Sequence, residues 1–308
     1  MRRRERRLEK RGRQGTEARE SHYDARMPRW LHRSVLAGRE LREVDALLRD
    51  LELHTVCESA RCPNRMECFS RRTATFMLLG DVCTRDCSFC GVTKGIPEPP
   101  DAGEPERVAE AAASLGLEHV VMTSVTRDDL EDGGASQFAA AVRAVRARLP
   151  RATVEVLTPD FRGEREALRR VLEAGPQVFN HNLETVEELY PEVRPGADYR
   201  RSLEMLRAAK VEAPRVLTKS GIMVGLGESR AQLRRLFRDL ADAGCDMLTI
   251  GQYLRPSRAQ RKVARFLPPR EFAELGKEAE EAGVPMVASA PLVRSSYRAG
   301  ELLHNACT

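Results

Sequence analysis

Short runs of β-branched and other apolar residues alternate with longer amphipathic segments from residue 75 onward. Runs of this length, bounded by Gly and Pro, are typical of buried strands, and the segments between them have helical spacing. Strands that alternate with helices form a parallel sheet. The pattern therefore predicts strands over residues 75–79, 119–124, 153–157, 177–180, 216–224, 247–250 and 285–288.

The clearest helix covers residues 229–243. Its apolar residues recur at helical spacing, as Leu233, Leu236, Phe237 and Leu240. Ser229 and Gln232 stand three residues apart before this run, which predicts a capping box. About six strand–helix units fit between residues 75 and 283, fewer than the eight of a closed barrel.

The expected fold class is α/β, a partial (β/α)6 TIM-type barrel with N-terminal and C-terminal extensions. Its predicted parts are a basic, disordered tail over 1–27, an N-terminal extension over 28–74, the barrel over 75–290 and a C-terminal segment over 291–308. Barrels of this kind place their chemistry in loops at the carboxyl ends of the strands. The loop after the first strand is therefore the first candidate for a site.

Composition and charge narrow the class of protein. The 308 residues are 42% hydrophobic and 31% charged, and their longest uncharged runs are too short to cross a bilayer. The formal charge of +5 resides in the tail, whose nine Arg, one Lys and five acids also sum to +5. A neutral body argues against nucleic-acid binding, although an RNA-binding tail remains an alternative. The acids in the tail argue against a mitochondrial targeting segment, so a cytoplasmic location is expected.

Three cysteines, Cys83, Cys87 and Cys90, stand at C-x3-C-x2-C spacing directly after the first predicted strand. Soft thiolates select zinc or iron–sulfur clusters, and a structural zinc site would need a fourth Cys or His nearby. None follows before His119. A 4Fe-4S cluster held by three cysteines leaves one iron open to a substrate or cofactor. We expect such a cluster here, with zinc binding or simple burial of the thiols as the alternatives.

A second incomplete group, Cys57, Cys62 and Cys68, has C-x4-C-x5-C spacing and precedes the first strand. Two incomplete thiol groups within 34 residues indicate two metal centres, although a single six-thiolate zinc cluster is an alternative. Cys245 lies in an apolar run and Cys307 in the terminal segment, so neither is a site candidate.

The C-x3-C-x2-C loop resembles that of the radical S-adenosylmethionine (SAM) superfamily. Further segments resemble the lipoyl synthase family, in that family's order, from about residue 28 to residue 300. They read H-T-V-C-E-S-A-R-C-P-N-R-M-E-C, T-A-T-F-M-L-L-G-D-V-C-T-R-D-C-S-F-C, T-S-V-T-R-D-D-L-E-D-G-G, F-N-H-N-L-E-T-V, K-S-G-I-M-V-G-L-G-E and V-R-S-S-Y-R-A-G-E. The C-x4-C-x5-C group is specific to this family within the superfamily.

The resemblance implies two 4Fe-4S clusters and SAM as cofactors. The thiols of Cys83, Cys87 and Cys90 would hold the cluster that cleaves SAM to a 5'-deoxyadenosyl radical. The second group of cysteines would hold an auxiliary cluster, with the hydroxyl of Ser296 as fourth ligand and Ser295 as the alternative. Without the resemblance, either serine would be read as a cap or turn residue.

The resemblance also implies contacts with SAM. Phe89 would pack near the adenine, and Gly133 with Gly134 would meet the methionine amino group. A core aromatic and a simple turn are the alternatives. Asn180, Asn182 and Glu228 end predicted strands and would face the barrel mouth, unless they satisfy local backbone groups.

The implied activity is insertion of two sulfur atoms at carbons 6 and 8 of a protein-bound octanoyl-lysine. Alkyl C–H bonds lack an acidic proton, so such chemistry requires a radical cofactor. The auxiliary cluster would donate the sulfur. Implied partners are octanoylated lipoyl domains or glycine-cleavage H protein, and reduced ferredoxin or flavodoxin, with no nucleic acid and no membrane. Alternatives are a biotin-synthase-like enzyme, a methylthiotransferase, or a non-catalytic zinc or electron-transfer protein.

Overall fold

The computed structural model describes residues 27–32 and 38–307, with side chains described through residue 304. The predicted disordered tail lies outside the described residues apart from Met27. The strands are β1 (His54–Thr55), β2 (Thr75–Leu78), β3 (Val82–Cys83), β4 (Thr93–Lys94), β5 (His119–Ser124), β6 (Thr153–Leu157), β7 (Val178–Asn180), β8 (Leu217–Val224), β9 (Met247–Gln252) and β10 (Met286–Ser289).

Eleven α-helices accompany these strands in the described part of the chain. They are α1 (Arg39–Asp50), α2 (Val56–Ser59), α3 (Arg65–Ser70), α4 (Glu104–Leu115), α5 (Ala135–Arg148), α6 (Arg165–Glu173), α7 (Tyr190–Val193), α8 (Tyr199–Glu212), α9 (Arg230–Asp242), α10 (Pro269–Glu281) and α11 (Ala299–Cys307). None of these helices is long and apolar enough to span a bilayer.

Eight strands form the main sheet in the order β1-β2-β5-β6-β7-β8-β9-β10. β1 runs antiparallel to β2, and all other neighbours are parallel. The seven parallel strands are those predicted, each within two residues at either end. Six of them are followed by a helix before the next strand of the main sheet begins, and β10 adds a seventh strand. The prediction of a partial α/β barrel is confirmed.

The core lies between the sheet and its helices. In α9, Leu233, Leu236, Phe237 and Leu240 are buried on one face, as their spacing predicts. The hydroxyl of Ser229 accepts from Gln232 N, and Gln232 Oε1 accepts from Ser229 N at 2.8 Å. The predicted capping box is therefore confirmed. Cys245 is buried in the core, as expected from its apolar surroundings.

Two glycines in the strands leave space for the C-terminal segment inside the barrel. A Cβ built on Gly251 of β9 would lie 2.1 Å from the carbonyl oxygen of Val293. A Cβ built on Gly221 of β8 would lie 2.2 Å from the Ser295 hydroxyl. A side chain at either position would displace the segment that carries the R-S-S-Y sequence, because the obstructing atoms, the Val293 carbonyl oxygen and the Ser295 hydroxyl, belong to that segment.

Candidate active site

A cavity of about 310 Å³ opens at the carboxyl ends of the parallel strands. We call it the mouth cavity. The thiols of Cys83, Cys87 and Cys90 all line it. Apolar side chains, including Met77 and Leu157, form much of the remaining wall. The cavity lies where a barrel of this class places its chemistry, and the structure brings the whole first cysteine group to it.

A second cavity, of about 340 Å³, lies between the N-terminal extension and the C-terminal segment. We call it the extension cavity. Cys57, Cys62, Cys68 and Ser296 line it together. Cys57 and Cys62 also line the mouth cavity, so the two cavities share a wall.

The loop of the first cysteine group is held at both ends by backbone contacts. β3, which contains Cys83, pairs with β4 beyond the third cysteine. The amide of Thr126, after β5, donates to Cys83 Sγ at 3.3 Å, and Cys90 N donates to Cys87 O at 3.1 Å. These contacts hold the Cys83 sulfur and the turn from Cys87 to Cys90 in place.

A buried arginine inside this loop ties it to the barrel. Arg85 donates to both carboxylate oxygens of Asp128, at 2.7 and 2.8 Å, and to Asp160 at 2.7 Å. Arg201 also pairs with Asp160, at 3.2 Å. Burial alone would raise the pKa of Asp160, but the hydrogen bond and charge of Arg85 lower it to about 2. This bidentate contact fixes the loop between two cysteines of the group.

Four of the six thiols, those of Cys57, Cys68, Cys87 and Cys90, have raised pKa values. Burial raises the pKa of Cys57 and of Cys90 to about 12, and that of Cys68 to about 11. Burial also raises the pKa of Cys87, against the opposing charge of Arg194. A metal bound by these thiols would therefore displace their protons and would have to supply the positive charge that stabilises the thiolates.

The extension cavity is assembled from distant parts of the chain. The hydroxyl of Thr55 caps α2, which carries Cys57, by accepting from Glu58 N. Asn64 Nδ2, just before α3, donates to the carbonyl of Leu292 at 2.7 Å. The Tyr297 hydroxyl donates to Glu67 Oε1 at 2.8 Å. These two hydrogen bonds flank Ser296 and hold the C-terminal segment against the extension that carries the cysteines.

The chemistry of both donor sets fits iron–sulfur clusters, because each joins three soft thiols around a cavity of several hundred Å³. Across residues 27–32 and 38–307, no three or more His, Cys, Asp or Glu side chains lie close enough together to hold a single metal ion.

Comparison of the chain with known proteins identifies its family. A profile of the Radical SAM superfamily matches residues 77–240, and one of the N-terminal domain of lipoyl synthase matches residues 3–62. The lipoyl synthase of Methylococcus capsulatus is 56% identical over 277 residues, covering 90% of this chain and 86% of that protein. The lipoyl synthase of Rubrobacter xylanophilus is 56% identical over 279 residues, with coverage of 91% and 87%.

The chain belongs to the lipoyl synthase family. The resemblance is confirmed and extends further toward the N-terminus than predicted, since the family's N-terminal domain begins to match at residue 3 rather than near residue 28. Membership in a radical SAM enzyme family decides against a non-catalytic zinc or electron-transfer protein.

Solved structures support the fold alone. Methylornithine synthase gives a TM-score of 0.54 at 17% identity, covering 87% of this chain and 86% of that chain. Streptococcus suis SuiB, in complex with S-adenosylmethionine, gives a TM-score of 0.54 at 12% identity, covering 80% and 60%.

The two serines of the family's R-S-S-Y segment occupy different places. The Ser295 hydroxyl donates to Asn182 Oδ1 at 2.8 Å, and Asn182 Nδ2 donates to Glu184 Oε1 at 2.9 Å. Ser295 lines the mouth cavity, whereas Ser296 lines both cavities. Of the two, only Ser296 therefore shares the extension cavity with all three cysteines of the second group.

The weaker site predictions have mixed outcomes. Phe89 lines the mouth cavity, as does Asn182. Glu228 accepts from three backbone amides of its own turn, so it satisfies local backbone groups. Asn180 is buried and donates to the side chain of Glu155 at 3.0 Å, and it does not line the mouth cavity. Gly133 and Gly134 do not line the mouth cavity. Both have positive φ, 59° and 91°, in the turn that begins α5.

Four charged side chains of the mouth cavity were not predicted: Arg61, Glu184, Arg194 and Arg294. Arg194 donates to the carbonyl of Asn182 at 2.9 Å, but its buried Nε has no hydrogen-bond partner in the described structure. Burial raises the pKa of Glu184. Arg61, Glu184 and Arg294 lie inside segments that resemble the family, which was the available signal. Arg194 lies in no such segment.

Proposed function

We propose that the protein is a lipoyl synthase that inserts two sulfur atoms, at carbons 6 and 8, into a protein-bound octanoyl-lysine. Family membership supports the activity. The observation that carries the mechanism is the wall shared by the two thiol-lined cavities. An alkyl chain in the mouth cavity would lie beside the cysteines of the extension cavity, so a carbon activated in one could reach sulfur held in the other.

We assign Cys83, Cys87 and Cys90 to a 4Fe-4S cluster that binds SAM. The second group, Cys57, Cys62 and Cys68, would hold an auxiliary 4Fe-4S cluster with Ser296 as fourth ligand. When bound, the first cluster and SAM supply the 5'-deoxyadenosyl radical, and the auxiliary cluster supplies the sulfur. A serine oxygen is a harder ligand than thiolate, which suits a cluster that must come apart.

The side chains of the mouth cavity would position the substrates. Apolar residues such as Met77 and Leu157 suit an octanoyl chain and exclude water from a radical reaction. The buried Nε of Arg194 is a donor without a partner in the described structure, which suits the carboxylate of SAM. Phe89 offers an aromatic face for adenine. Gly133 and Gly134 do not line the cavity, so they would affect SAM binding only through the backbone of the turn that they form before α5.

The partners follow from the reaction. The octanoyl-lysine would belong to a lipoyl domain or glycine-cleavage H protein, and reduced ferredoxin or flavodoxin would supply electrons. The cytoplasm is the proposed compartment.

The test uses two triple variants, each confirmed by iron content to retain one cluster. Replacing Cys83, Cys87 and Cys90 by Ala should abolish 5'-deoxyadenosine, since SAM has no open iron to bind. Replacing Cys57, Cys62 and Cys68 by Ala should leave 5'-deoxyadenosine formation but abolish the lipoyl product. Lipoyl product from the second variant, with no added sulfide, would show that these cysteines do not hold the sulfur donor.

A further inference from the structure

The loop that follows β9 is strongly basic. Residues 255–265 contain five cations and no acidic residue: Arg255, Arg258, Arg261, Lys262 and Arg265. We call this segment the basic loop. Its charge contrasts with the body of the protein, which is neutral outside the N-terminal tail.

The basic loop forms part of the rim of the mouth cavity and touches both cysteine segments. Pro256 of the loop lines the cavity, as does Leu254 immediately before it. Arg61, next to Cys62, donates to the carbonyl of Pro256 at 3.4 Å. The amide of Arg261 donates to the carbonyl of Ser88, inside the first cysteine group, at 2.8 Å. A macromolecule that inserts a side chain into the cavity must therefore approach this loop.

Three of the five cations are engaged by the protein itself. Arg261 pairs with Glu192 at 2.8 Å, and Arg265 pairs with Glu271 at 2.5 Å. Arg255 donates to the carbonyl of Gln260 at 2.7 Å.

Arg258 and Lys262 are exposed. Neither has an ion pair with any residue in the described part of the chain. Arg61, also exposed, is likewise without one at the same rim. Three exposed cations for which the described residues supply no ion pair thus lie on this side of the molecule: Arg61 in the cavity wall, and Arg258 and Lys262 in the basic loop beside it.

We propose that Arg61, Arg258 and Lys262 form the docking surface for the carrier, a folded domain with an acidic surface around its octanoyl-lysine. This inference rests on the proposed function, which requires a protein substrate at this mouth. Rim charges of opposite sign steer encounter and orient the partner. A nucleic acid fits less well, because the protein outside the N-terminal tail carries no net positive charge for a broad phosphate-binding face.

The test compares Arg258→Glu/Lys262→Glu with the parent in the reconstituted holoenzyme. Binding of an octanoylated lipoyl domain is measured by calorimetry without reductant, so no turnover is needed. We expect the Kd to rise about tenfold at low salt, since two rim charges are reversed, and the difference to shrink at high salt. Arg143→Glu/Arg238→Glu is the matched control, because these exposed arginines lie on the outer helices α5 and α9 and make the same change of charge.

A second readout separates docking from chemistry. The ratio of KM for the octanoylated domain to KM for a short, uncharged octanoyl-lysine peptide should rise about tenfold in the basic-loop variant. Equal domain binding by parent and variant would overturn the proposal, as would an equal loss in the control. Loss of RNA binding with unchanged domain binding would assign the surface to a nucleic acid instead. Absence of sulfur insertion by the parent, with domain binding intact, would refute the proposed function and leave the docking surface standing.

Discussion

Replacement of Arg85 by Met should weaken the fold around the first cysteine group. Asp160 is 0% exposed, and the variant removes its 2.7 Å partner. Breaking one side of a buried ion pair costs about 3–5 kcal/mol. Arg201 remains 3.2 Å from Asp160, and Asp128 can be hydrated again, so we expect the free energy of unfolding to fall by about 3 kcal/mol. At roughly 2 °C per kcal/mol, the thermal midpoint should fall by about 6 °C.

The assay is thermal unfolding of anaerobically reconstituted protein, followed by circular dichroism at pH 7. The double variant Arg85→Met/Asp160→Asn should recover about half of the loss, because a neutral amide needs no counter-charge. Arg201→Met is the control and should lose about 1 kcal/mol, since its pair is longer and Arg201 is partly exposed. An unchanged midpoint in Arg85→Met, or a double variant that shows the full sum of both single losses, would refute the reasoning.

Three further predictions address the site, a buried pair and a helix cap. Ser296→Ala should keep 5'-deoxyadenosine formation but lower lipoyl product; full product from it, with loss in Ser295→Ala, would reverse our assignment. The pKa of Glu155 is lowered to about 2, because the charge of Lys219 outweighs the effect of burial. Lys219→Met should therefore lower the free energy of unfolding by about 3–5 kcal/mol near pH 7, and by less as the pH falls below about 4.5. A loss measured by denaturant unfolding that does not vary with pH would contradict this. Ser229→Ala should lower stability by about 1 kcal/mol, and an unchanged thermal midpoint would argue against the capping box.

The sequence predicted the parallel strands from short runs of apolar and β-branched residues between Gly or Pro, and most of these runs are buried. Val154 and Val156 of β6, both 0% exposed, are examples. The two-residue strands β3 and β4 were not predicted, since so short a segment carries no periodicity. They matter to the site because their pairing closes the loop of the first cysteine group.

That the cysteines lie together in two groups could be predicted from their spacing, which is typical of metal ligands. The wall that Cys57 and Cys62 share between the cavities could not, because it depends on packing between residues far apart in sequence. Asn180 shows the same limit. It ends a strand, so we expected its side chain to face the barrel mouth. Instead it donates to Glu155, which is buried and paired with Lys219.

The most direct test of the account is the mass of an octanoyl-lysine peptide after anaerobic incubation with the reconstituted protein, SAM and reductant. We predict a product that has gained two sulfur atoms, accompanied by 5'-deoxyadenosine. An unaltered peptide mass, with 5'-deoxyadenosine formed in the same reaction, would contradict sulfur insertion as the function of this chain.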